Sequence, residues 1–161
     1  MENAEILISF LACILSCLFF IGNIIHSNVT GRIGRFNECL KDFLDYLNNI
    51  ELVELPKLFA NSSELNSLAF LSFHTILERK FHLMRRFLLF KRSKYTKTVE
   101  ISLLQFKELV LTEEVEKVLC GIDTSANALL RVRIYICDRI DKISTAVLDG
   151  RLVLSEYDYS H

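Results

Sequence analysis

The sequence predicts an all-α protein: a single N-terminal transmembrane helix followed by a small bundle of four or five helices. Three observations predict it. Residues 6–25 form an uninterrupted apolar run, apolar residues recur at spacings of three and four along the remainder, and turn-formers are scarce, with 5 Gly and 1 Pro in 161 residues. So few turns argue against a β-sandwich and for long helices. Hydrophobic residues make up 51% of the chain and the net charge is −1, which excludes wholesale disorder.

Residues 1–26 are read as the anchor. The run ILISFLACILSCLFFIGNII, Ile6 to Ile25, carries no formal charge. As a helix it spans about 30 Å, the thickness of a bilayer's hydrocarbon core. A cleaved signal peptide and a buried core helix are its competitors. The preceding MENAE carries Glu2 and Glu5 and no cation, the run exceeds the usual h-region length, and no A-x-A site follows. These features favour a retained span. Arg32, Arg35 and Lys41 follow it, so positive-inside logic puts the N-terminus outside and the body in the cytoplasm. Ser9, Cys13 and Cys17, with Ala12 and Ser16 beside them, make a small-residue face through which two such helices could pack as a homo-oligomer.

Residues 27–35 (SNVTGRIGR) are expected to be a hinge, because Gly31 and Gly34 weaken a helix there. The pattern is not a phosphate loop, since the Lys-Ser/Thr ending is missing. Residues 36–150 are expected to form the helical cytoplasmic domain. Phe36, Leu40, Phe43, Leu44, Leu47 and Ile50 trace one face of a helix that Pro56 ends or restarts. Asn61-Ser62-Ser63 offers a helix start, and a long helix is expected from Glu64 towards Phe90. A further helix is expected over Thr98 to Leu119, with apolar positions Ile101, Leu104, Leu109, Leu111, Val115, Val118 and Leu119, a break near Thr112 and Gly121 as its stop. Asp123-Thr124-Ser125 caps the last helix, in which Leu129, Val132, Ile136, Ile140, Ile143 and Val147 alternate spacings until Gly150. Residues 151–161 are expected to be a flexible tail.

Charge is unevenly distributed. Arg79, Lys80, Arg85, Arg86, Lys91, Arg92, Lys94 and Lys97 form a +8 stretch without an acid, which leaves 11 of the 19 Lys/Arg against all 20 Asp/Glu and a net of −9 elsewhere. Within it Leu77, Phe81, Met84 and Leu88 make an apolar stripe. Such a segment suits anionic lipid headgroups, with its aromatics inserted and its cations among the phosphates. The competing reading puts the stripe in the bundle core and the cations in water. Nucleic acid ranks below both, because no nucleic-acid motif accompanies the basic residues.

Sites of chemistry are not evident. GxSxG, HExxH and Walker patterns are absent, and no catalytic constellation, cofactor or metal site is assigned. His74, Glu78 and His82 share a helical face, but eight residues separate the histidines by about 12 Å along the axis, too far for one ion. The widely spaced Cys39, Cys120 and Cys137 are read as free thiols. The functional expectation is a non-enzymatic, single-pass, membrane-anchored helical interaction or regulatory protein, with the bilayer and a membrane protein as partners. Superinfection-exclusion factors of temperate phages share that size and architecture, though no motif links them to this chain. The alternatives are a membrane-associated enzyme with an unrecognised site and a membrane-tethered nucleic-acid binder.

Overall fold

The computed structural model describes the backbone of residues 2–60, 66–88 and 93–158, and the side chains of 11–60, 66–88 and 95–149. The chain is all-α, with no strand among the described residues. Its elements are α1 (Glu2–Asn49), a π-helical turn (Ile50–Glu54), α2 (Leu55–Ala60), α3 (Ser67–Arg85), α4 (Ser93–Val110), α5 (Glu113–Leu119) and α6 (Ala126–Asp158).

α1 runs for 48 residues, about 72 Å, and passes through residues 27–35 without a break. This corrects the expected hinge. Neither Gly31 nor Gly34 has positive φ. Two glycines among helix-compatible neighbours cost about 0.5–1 kcal/mol each, which the turns on both sides offset. The far part of α1 packs as its period dictates, with Phe36, Leu40, Phe43 and Leu47 almost wholly buried.

The π turn explains how Pro56 is accommodated. Leu55 donates its N–H to the Ile50 carbonyl, five residues back. Pro56 has no N–H and its ring crowds the carbonyl four residues earlier, so a widened turn relieves the clash while the chain stays helical.

α3 starts at Asn66, whose side chain accepts a hydrogen bond from the Ala69 N–H at 2.8 Å. The start expected from Asn61-Ser62-Ser63 lies within residues 61–65, outside the described residues. α3 ends at Arg85, short of the expected Phe90, and turns at residues 86–87.

The helix expected from Thr98 to Leu119 is two helices, parted at Leu111 and Thr112. The break falls where Thr112 placed it, and Val115, Val118 and Leu119 are buried as expected, but the buried face of α4 differs from expectation. Val99, Leu103, Phe106 and Val110 are in the core, whereas Ile101, Leu104 and Leu111 are exposed. α4 carries apolar residues on two faces, and period alone does not rank them. α5 closes as expected: Gly121 has φ +70°, its N–H reaches the Val118 carbonyl, and the Ile122 N–H reaches the Lys117 carbonyl, a Schellman ending.

Ser125 caps α6, its hydroxyl accepting from the Ala128 N–H at 3.3 Å. Val132, Ile136, Ile140, Ile143 and Val147 are buried as expected. α6 continues through Gly150 to Asp158, which corrects the stop expected at Gly150. Residues 159–161 lie outside the described residues.

One core joins these helices, centred on Phe36, Phe43, Phe70, Phe81 and Phe106. α3 packs between α1 and α4, and α6 packs on α4. The first half of α1 stands apart from that core, and the side chains of residues 11–28 are all exposed.

Candidate functional site

The basic stretch divides once it is folded. Leu77, Phe81 and Met84 have no exposed surface, so the apolar stripe is core and does not insert into a bilayer. Phe87 and Leu88 pack at the margin of the core. The stripe alternates correctly for either role; only the presence of α1 and α4 on both sides decides it.

The cations behave differently from one another. Lys80 reaches back to Asp42 on α1 and lies 5.4 Å from the Tyr46 ring centroid. Arg85 pairs with Glu100 on α4 at 2.6 Å. Both clamp neighbouring helices. Arg79 and Arg86 are exposed and line an open groove of about 430 Å³ with Thr75, Glu78, His82 and Leu83. Lys97 is exposed on α4. Lys91 and Arg92 lie outside the described residues, and of Lys94 only the helical backbone is described.

Two residues not expected here, both far away in sequence, join the group. Arg32 on α1 directs Nη2 at the Arg86 carbonyl, 3.5 Å off, and the Arg35 guanidinium lies 6.0 Å from the Phe87 ring centroid. The sequence marked both only as orientation signals beside the span. Their convergence with α3 depends on the antiparallel packing of α1 and α3, which no local pattern reveals.

On the apolar half of α1, Ala12, Cys13, Ser16 and Cys17 are exposed, while the Ser9 side chain lies outside those described. The described residues contain one helix long and apolar enough to cross a membrane, near the N-terminus, with mean hydropathy 1.7 over a window of which nothing is buried.

The buried titratable groups are shifted towards their neutral forms. Burial pushes the Cys39 thiol up, helped by Asp42 and Glu38, and pushes Cys137 up, helped by Glu51. Burial also raises the Tyr95 phenol, which donates to the Val147 carbonyl at 3.2 Å. It lowers His74, with Glu78 opposing and Lys107 reinforcing the shift. Protonated thiols are the reverse of what a nucleophilic cysteine needs. All five cysteines are free, and Cys120 is exposed. The Glu78–His82 contact is a loose exposed pair at 4.0 Å, while His74 is buried. Among the described residues no group of three His, Cys, Asp or Glu could hold a metal ion.

Comparison with protein-family models, curated proteins and solved structures gives no match. The functional reading therefore rests on the geometry.

Proposed function

We propose that this chain is a non-enzymatic, single-pass membrane-anchored interaction protein whose helical bundle is carried beside the bilayer on a continuous helix. The supporting observation is the bare apolar half of α1. Leu15, Leu18, Phe19 and Phe20 are 60–73% exposed, with none of the described residues covering them. A core helix would bury such residues; lipid is the solvent that accepts them. The acidic N-terminal flank and the cations beyond the span orient the bundle to the cytoplasm. Its partners are then the bilayer, anionic headgroups, a membrane protein and, through the face bearing Ala12, Cys13, Ser16 and Cys17, a second copy.

Two measurements test this reading. The full chain should stay with membranes through an alkaline wash, and a reporter fused after His161 should read cytoplasmic. Release by the wash would refute the anchor, and an external reporter would refute the orientation. One concrete role is superinfection exclusion, for which size and architecture are the support. Unaltered plaque formation across a phage panel in an expressing host would remove it. Binding of nucleic acid by the detergent-solubilised chain would favour the tethered nucleic-acid reading instead.

A further inference from the structure

The three arginines that gather where α1 meets α3 are placed for a ligand outside the protein. α1 and α3 run antiparallel: Lys80 meets Asp42, and six residues later Arg86 meets Arg32. α3 therefore travels back towards the span and ends beside the part of α1 nearest to it. Arg32 lies seven residues beyond Ile25, about 10 Å along the helix. The headgroup layer occupies about 5–7 Å outside the hydrocarbon on each side. The remaining gap is shorter than the Debye length of about 8 Å at physiological salt. Because α1 is unbroken through this stretch, the height is set by the helix and not by a swivelling joint.

Charge makes the same point independently. Arg32, Arg35 and Arg86 are all exposed, and none belongs to an ion pair among the described residues. Lys80 and Arg85, within two turns of Arg86 along α3, each have a carboxylate. The Arg32 guanidinium reaches the Arg86 carbonyl and the Arg35 guanidinium lies over Phe87, so the end of α3 adds the exposed cation of Arg86 to the two on α1, and planar guanidinium forks suit phosphate oxygens. Phe87 and Leu88, half-buried beside them, add an apolar margin.

We infer that Arg32, Arg35 and Arg86 form a headgroup-binding corner that engages anionic phospholipids of the adjacent leaflet, fixing the bundle's rotation about the α1 axis. The inference rests on the reading of residues 6–25 as a span. It adds Arg32 and Arg35 to the expected lipid-contact set, within which Arg86 stays exposed while Lys80 and Arg85 are paired with Asp42 and Glu100.

The chain has no Trp, so Leu88→Trp supplies a single tryptophan at the corner, excited at the red edge where the five tyrosines do not absorb. The full chain carrying it is reconstituted in phosphatidylcholine vesicles and in phosphatidylcholine mixed with phosphatidylglycerol, each with a nitroxide-headgroup quenching lipid. Quenching should be stronger in the anionic vesicles and weaken at high salt. Each cation near an anionic surface shifts docking about fivefold, so R32Q/R35Q/R86Q should lose about a hundredfold and return quenching to the neutral-vesicle level. Lys107→Gln, at the other end of α4, should leave it unchanged. Equal quenching in both vesicles, or a triple variant that behaves like its parent, overturns the inference. Retention through an alkaline wash with lipid-independent quenching sinks the corner alone; release by the wash sinks the span and the corner together.

Discussion

Whether α1 is a rigid mast or a jointed tether can be decided at Gly31 and Gly34. A Cβ built at either glycine meets no heavy atom within 4 Å, so alanine fits without a clash. Neither position needs positive φ. Glycine within a helix is about 0.5–1 kcal/mol worse than alanine, so the double substitution G31A/G34A should stabilise this stretch by about 1–2 kcal/mol. That corresponds to about 5–30-fold slower local opening. Hydrogen exchange of the backbone amides over residues 28–38, measured on the full chain in nanodiscs, reads that opening directly. The parent should already be protected there, and the variant should exchange about 5–30-fold more slowly. Unprotected amides in the parent, with no slowing in the variant, would refute the continuous helix and restore a swivelling joint. The bundle's height above the bilayer would then be free to vary, and with it any fixed contact at Arg32.

Other consequences concern the core, the charge balance and the span. Phe81 has no exposed surface, so Phe81→Ala should cost about 3–5 kcal/mol, read as a fall in the unfolding midpoint of the detergent-solubilised chain. His74 is held neutral by burial, its folded pKa lying below the ordinary 6.5. Its contribution is therefore complete above about pH 6.5 and is lost as pH falls through the folded value. Unfolding midpoints between about pH 7 and 5 should decline less steeply in His74→Leu than in the parent, and an identical slope would remove His74 as a cause. Replacing Ser9, Cys13 and Cys17 with Leu should reduce self-association in detergent and in membranes; unchanged particle mass would show that this face does not pair.

Local patterns made much of the fold legible. The membrane-length apolar helix could be read from twenty uncharged residues, and α6 from its spacing of three and four, because helix period acts on contiguous residues. The Gly121 stop was equally plain, since few residues besides Gly accept φ near +70°. Other features turned on residues distant in sequence. α4 has two apolar faces, and its packing against α3 and α6 chose Val99, Leu103, Phe106 and Val110 over Ile101 and Leu104. The hinge expected at Gly31 and Gly34 is a helix, because a penalty of a few tenths to one kcal/mol per glycine is small against the cooperative helix on either side.

The sequence by itself determined that the chain is helical and carries one membrane-length apolar segment followed by cations. It also located a dense basic run, but not its use. Folding decided that Leu77, Phe81 and Met84 are core, that Lys80 and Arg85 clamp helices, and that the end of α3 at Arg86 and Phe87 packs against Arg32 and Arg35. The reason is physical: a helix's period depends on neighbours three and four residues away, whereas the partner of a charge depends on which helix is folded against it.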